Sequence, residues 1–281
     1  MSTRPEDWIG RSEESEERLA PMPAQGLAAT LDRESLAFDD GAPLPPLWHW
    51  LYFVPLVRAR DIGPDGHARR GGFLPPVALP RRMWAGSRVE FRAPLCIGDT
   101  VRRRSVIERV ERKSGRSGEL VFVTVRHELG RAGAAEPALV DRHDIVYREA
   151  PRPGDPVAAS VAASTDAPWS CTWQPDDVLL FRYSALTFNG HRIHYDRRYV
   201  TEVEGYPGLV VHGPLIATLL LELLHEHDPG ADVAAYRFKA LRPCFDGRPL
   251  HLYGRPEGER VRLWAADDRG ALAMEAEAAL R

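Results

Sequence analysis

One short polar stretch, Tyr183 to Asp196, carries Asn189, His191, His194, Tyr195 and Asp196, and His212-Gly213 follows soon after it. Imidazole titrates close to neutral pH, so a histidine in such a run can take a proton from one group and return it to another. His191, His194 and Asp196 are also metal-ligating types, but no further Cys/His pair at close spacing joins them. Proton chemistry is the simpler reading, and neither a metal nor a cofactor is expected. Asn189 precedes Gly190 and suits a turn, while its side-chain carbonyl could also hold a water that it cannot itself deprotonate. Gly213-Pro214 opens an apolar run. As the first residue of a helix, Gly213 would present an N–H, reinforced by the helix dipole, to an oxygen on which negative charge develops.

The elements that must position these residues come in two similar sets. A helix is predicted from about His212 to His225, with Leu215, Ile216, Leu219, Leu220 and Leu223 supplying its apolar positions. Its counterpart in the first half is predicted over Leu47–Phe53, behind Pro45-Pro46. Val89 to Asp99 alternates and then turns at Gly98-Asp99. Arg237 to Gly247 repeats its grammar: a Phe, a basic residue and Ala in order, then Pro, Cys and an Asp/Gly pair. After each segment come alternating, Val- or Ala-rich runs separated by Gly-containing turns, which read as antiparallel strands. The fold class is α+β, twice over. The boundaries follow: an N-terminal unit over 1–150, a Pro/Ala/Ser linker over 151–167, and a C-terminal unit over 168–281.

Bulk properties narrow the functions. A net charge of −3 gives no footing for nucleic acid or an anionic membrane as partner. The longest apolar run, Leu215 to Leu224, is interrupted by Thr218 and Glu222 and is too short for a bilayer. Cys96, Cys171 and Cys244 are odd in number and far apart, so no disulfide framework or zinc knuckle is indicated. The acidic N-terminal stretch lacks the apolar core of a signal peptide, and the expected setting is a reducing cytoplasm.

Two stretches carry a resemblance. Ile193-His194-Tyr195-Asp196 and Val211-His212-Gly213-Pro214-Leu215 resemble the catalytic run and helix opening of the MaoC-like hot-dog hydratases and dehydratases. With Pro45 to Phe53, Gly71 to Pro76 and Arg81 to Gly86, the chain looks like the two-hot-dog branch acting on itaconyl- and mesaconyl-type CoA esters. The resemblance implies a double hot-dog, two antiparallel sheets each wrapping a central helix, with one active site per chain in the C-terminal half. It implies reversible addition of water to the double bond of a short branched enoyl-CoA, with His194 as acid–base residue, Asn189 holding water and Gly213 at the thioester oxygen. Asn189 departs from the pattern of the single-domain members, which place an Asp there to share the water. His191, Tyr195 and His212 become substrate-binding candidates. Arg182 and Arg192 become receptors for a free acyl carboxylate, since a guanidinium matches that group with paired hydrogen bonds; the alternative is that both face water or pair with Asp196 or Glu204. The Gly/Pro/Arg-rich segment His67–Gly86 is a candidate lid, with Arg69-Arg70 and Arg81-Arg82 facing CoA phosphates. The expected partner is an acyl-CoA thioester, with a homodimer possible. Other readings are a dehydratase for carrier-protein thioesters, a thioesterase and a non-catalytic acyl-CoA sensor.

Overall fold

The computed structural model describes residues 4–34, 36–115, 118–150 and 160–281. Its strands and helices follow the chain as β1 (Ser12–Arg18), α1 (Pro21–Thr30), β2 (Arg81–Phe91), β3 (Thr100–Gly115), β4 (Gly118–Arg131), β5 (Leu139–Arg148), β6 (Trp169–Trp173), α2 (Asp177–Leu186), α3 (Arg197–Glu202), α4 (Gly213–His227), β7 (Val233–Ala240), β8 (Leu250–Glu257), β9 (Arg260–Ala266) and β10 (Leu272–Leu280). All strand pairings are antiparallel.

The strands join in the order β1-β3-β4-β5-β2-β7-β10-β9-β8-β6. This order is a palindrome of roles: β2 matches β7, β5 matches β10, β4 matches β9, β3 matches β8 and β1 matches β6. The internal repeat read from Phe91 and Phe238 is therefore real, and the two halves share one continuous sheet through β2–β7. At that seam Gly86 pairs with Lys239 and Ser87 with Phe238. A Cβ on Gly86 would run into the carbonyl of Phe238, so the seam closes only over glycine.

The core helix is α4. Leucine-rich sequence favours helix, and Pro214 fits its first turn without losing a needed hydrogen bond. Leu215, Ile216, Leu219, Leu220, Leu223 and Leu224 are all buried in the main core. Full burial of such side chains is worth about 1.5–3 kcal/mol each. The predicted span was right to within two residues at its C-terminal end.

The first-half helix predicted over Leu47–Phe53 is instead a single 3-10 turn, Trp48–Leu51. The reason is local. Prolines at 46 and 55 bound the stretch, aromatic residues are modest helix formers, and Leu47 and Phe53 both take positive φ, at 70° and 56°. The N-terminal half is thus a hot-dog sheet without a long central helix of its own.

The segment His67–Gly86 is built in rather than draped over the surface. Val77 and Leu79 pack with Ile107, Val121, Val123 and Tyr147 in a second apolar cluster, and 81–86 already belongs to β2. Arg70 donates to the carbonyls of Val77, Leu79 and Pro80, and Arg81 pairs with Glu204 at 3.0 Å. Neither of these two arginines is free for a phosphate. Of the expected linker, residues 151–159 lie outside the described residues. Residues 161–164 run beside the C-terminal half, with Leu272 N–H donating to Val161 O and Trp264 Nε1 to Ser164 O.

Candidate active site

The polar run becomes a compact turn between α2 and α4. The last turn of α2 ends at Leu186, and Phe188 takes a left-handed φ of 49°. Asn189 N–H then donates to Ser184 O at 2.8 Å. Asn189 Oδ1 accepts the His191 N–H at 3.1 Å, which makes the Asn the turn-former that its Gly neighbour suggests. A 3-10 turn, Arg192–His194, delivers His194 into the interior. Asp196 is the N-cap of α3, accepting from Tyr199 N–H at 3.0 Å. The Asp of the Ile-His-x-Asp run is therefore a cap that holds the histidine turn.

His194 is buried, and its Nδ1 lies 2.7 Å from the carbonyl oxygen of Val210. A carbonyl only accepts, so Nδ1 carries the proton and Nε2 holds the lone pair. Burial pushes the His194 pKa down to about 4, against the pull of the Val210 carbonyl, and nearby His67 adds to the drop. At neutral pH this is a free base with a defined basic nitrogen.

Other imidazoles gather around it. His212, the N-cap residue of α4, stacks on His194 with centroids 3.7 Å apart and 17° between planes. Its Nε2 is 2.9 Å from Ser184 Oγ. His191 meets His194 edge-on at 5.5 Å and lies against His67 at 3.9 Å with the rings tilted by 38°. Burial, then the mutual repulsion of His67 and His194, lowers His191 to about 2. Burial, then repulsion from His194 and His191, holds His212 well below its ordinary value. Gly213 begins α4 directly after His212, ahead of the first intrahelical bond from Ile216 N–H to His212 O. A Cβ on Gly213 would meet nothing within 4 Å, so open space lies in front of this helix start.

His67 arrives from the N-terminal half. Asp65 Oδ2 lies 3.0 Å from His67 Nδ1, Asp65 O accepts the Arg192 N–H at 2.9 Å, and Pro64 O accepts from Arg192 Nη1 at 3.0 Å. Gly66 has φ +89° and sits so close to Gly190 that a Cβ would collide with the Gly190 carbonyl. The sequence reading took His67 only as the start of a lid and gave Asp65 no role. Potential ligand atoms of Asp65, His67 and His191 lie within 4.8 Å of one another. The His67 and His191 rings lie 3.9 Å apart and tilted by 38°, with Nδ1 of His67 on Asp65.

The remaining predicted residues fall out differently. Arg192 gives Nε and Nη2 to Asp196 at 3.0 and 2.8 Å and lies over the Tyr199 ring. Its fork is occupied, and it clamps the 63–67 loop to α3 rather than awaiting a carboxylate. Arg182 is exposed on α2 and reaches Ala29 O of α1, not the imidazole cluster. Tyr195 is exposed, with its hydroxyl donating to Gly190 O at 3.0 Å. Arg82 of β2 has no carboxylate partner in any ion pair among the described residues, and its charge bears on both His67 and His191. The sequence reading placed it only at a phosphate.

Two hot-dog halves fused through β2–β7 around one buried imidazole cluster define a double hot-dog protein. Residues 47–246 match the family model of hydroxyacyl-thioester dehydratase type 2. The chain belongs to that family, and so to the hydro-lyases. It is 46% identical, over 96% of its length and 95% of the relative's, to mesaconyl-C4-CoA hydratase of Chloroflexus aurantiacus. Its fold is similar to a MaoC-like dehydratase from Phytophthora capsici, with TM-score 0.69 at 17% identity over 99% and 97% of the two chains. It is also similar to a double hot-dog protein of Mycobacterium tuberculosis, with TM-score 0.58 at 14% identity over 97% and 96%.

Proposed function

We propose that this chain adds water reversibly to the carbon–carbon double bond of a short, branched enoyl-CoA whose acyl group carries a free carboxylate, of the mesaconyl-C4 or itaconyl kind. The observation that carries the chemistry is the His194 Nδ1–Val210 O hydrogen bond, which leaves Nε2 of a neutral imidazole as base. The substrate class rests on the 46% identity to the mesaconyl-C4-CoA hydratase.

In the hydration direction His194 Nε2 takes a proton from water as the water oxygen bonds to the β carbon. The π electrons move through the α carbon onto the thioester oxygen. Gly213 N–H and the positive end of α4 stabilise that oxygen. The new Nε2–H of His194 then protonates the α carbon, the thioester carbonyl re-forms and the imidazole returns to its neutral state. Dehydration is the same path reversed. Asn189 keeps the turn in place and offers the second lone pair of Oδ1 to the water. The distal carboxylate goes to Arg82, replacing Arg182 and Arg192 in that role. The proposed setting is a reducing cytoplasm, and no helix among the described residues is long and apolar enough to cross a membrane. Residues 1–150 and 168–281 act as two structural units around this one site.

The test is turnover of mesaconyl-C4-CoA, itaconyl-CoA and crotonyl-CoA, with products identified by the mass gain of one water. Dicarboxylic esters should react faster, and Arg82→Met should raise KM for them roughly 10- to 100-fold, the worth of a charged hydrogen bond of about 1.5–3 kcal/mol, while leaving crotonyl-CoA unchanged. Equal turnover of crotonyl-CoA by the unaltered protein would sink the carboxylate reading. Activity confined to carrier-protein thioesters would sink the CoA reading.

A further inference from the structure

The site lacks an acid where Asn189 stands, and the N-terminal half brings one in. The loop Gly63–His67 is closed on itself by Gly63 N–H to His67 O at 2.7 Å and Gly66 N–H to Gly63 O at 3.0 Å. Within it Asp65 accepts the His67 backbone N–H through Oδ1 at 3.0 Å and meets Nδ1 through Oδ2 at 3.0 Å. The loop is pinned to the catalytic turn by Arg192 and by the Gly66–Gly190 approach. An unbroken line of contacts then runs Asp65, His67, His191, His194, His212, Ser184. Of the four imidazoles in that line, only His67 is bonded to a carboxylate.

We propose that Asp65 is a positioning residue of the active centre: this carboxylate, held by His67 and supplied by the N-terminal half, offsets the repulsion among the imidazoles when the site acquires positive charge as His194 takes the proton from water. The proposal rests on the hydration chemistry above. When His194 becomes an imidazolium, its neighbours His191 and His212 are neutral rings without acidic partners. The charges facing the cluster are otherwise cationic. Arg70 comes from the same segment as Asp65, and Arg82 comes from β2. Arg192 is neutralised by Asp196, and Tyr199 of α3 stays protonated, because burial and then Glu204 push it up to about 12. Asp65 is the one carboxylate that faces the imidazoles unneutralised by an arginine among the described residues. Burial alone would raise its pKa, but the hydrogen bonds and charge of His67 outweigh it and keep Asp65 ionised. The carboxylate in turn opposes the drop that burial and the arginines impose on His67. Removing it takes away stabilisation of the protonated state and leaves the neutral ground state nearly as it was.

The experiment compares unaltered protein with Asp65→Asn, Asp65→Glu and His67→Gln, reading kcat, KM and the pH profile with mesaconyl-C4-CoA. Imidazole titration by NMR in substrate-free protein is followed in parallel. The expected result for Asp65→Asn is a kcat loss of about 10- to 100-fold at near-constant KM, with the acid limb of the profile moved to lower pH. His67→Gln leaves the carboxylate in place and should not move the limb to lower pH, and Asp65→Glu should restore part of the rate. A merely structural loop would lower rate and stability together without moving the limb, and that outcome overturns the proposal, as does an unchanged kcat. If the unaltered protein turns over no enoyl-CoA, the functional reading fails by itself. The NMR titration then decides: a downward move of the His67 titration in Asp65→Asn supports the pair, and an unmoved one overturns it.

Discussion

His194 Nδ1 sits 2.7 Å from the carbonyl oxygen of Val210, a residue just ahead of α4. The contact fixes the ring's tautomer and ties it to the segment that carries Gly213, so the proposed base and the proposed thioester-oxygen donor are held by one stretch of chain. Replacing the base should be fatal to turnover and mild for the fold. His194→Ala is expected to lose about 10²–10⁴ in rate, the usual share of a general acid–base group. Circular dichroism should show the secondary structure retained. More than half the original rate in this variant would remove His194 from the mechanism.

Acid should destabilise the protein before it reaches the carboxylates. His194 falls from 6.5 in the unfolded chain to about 4 in the fold, and His191 falls to about 2, in both cases chiefly through burial. A depressed imidazole pKa means that the unfolded state binds more protons between the two values. Stability is therefore complete above pH 6.5 and is lost as pH falls toward the folded value, about 3 kcal/mol for His194 alone if its full shift is expressed. Thermal melts across pH 7 to 5 should show Tm falling. His194→Gln should flatten part of that slope. A Tm unaffected by pH over this range would contradict the burial of neutral imidazoles.

Gly213 offers a clean separation of backbone from side chain. Open space faces its Cα, so Gly213→Ala keeps the N–H, fits, and should leave kcat within a few-fold. Gly213→Pro removes the N–H at a helix position that tolerates proline. It should cost about 10²–10³ in kcat, as losing one oxyanion donor does. Equal activity of the two variants would show that this N–H does not meet the thioester oxygen.

Asn189 serves through its acceptor. Asn189→Ala frees the His191 N–H and should lower kcat about fivefold, in keeping with a hydrogen bond worth roughly 1 kcal/mol. Asn189→Asp keeps the acceptor and restores the acid of the common pattern, so measurable activity should persist. Full activity of Asn189→Ala would reduce the residue to a passive turn-former.

Much of this was open to reading in one dimension because its causes are local. The span of α4 follows from leucine spacing and Pro214, and the pairing of the halves follows from the repeated Phe, Cys and Gly/Asp signals. His194 and Gly213 belong to compact runs whose neighbours, the Asp196 cap and Pro214, shape them directly. The rest depended on distance along the chain. Leu47–Phe53 looked helical by composition, yet bounding prolines and two left-handed residues allowed one turn. Arg192 takes the alternative of pairing with Asp196, because a guanidinium four residues from an Asp on a turn finds that Asp first. Asp65 and His67 lie in a Gly/Pro-rich loop far upstream, and no periodicity points from there to His191. They meet it because β2 and β7 join the two halves in one sheet and Gly66 lets two backbones touch. Local propensity and short motifs act over a turn or two. Which charges share a buried site is settled by long-range packing, and the sequence carries that only through the fold.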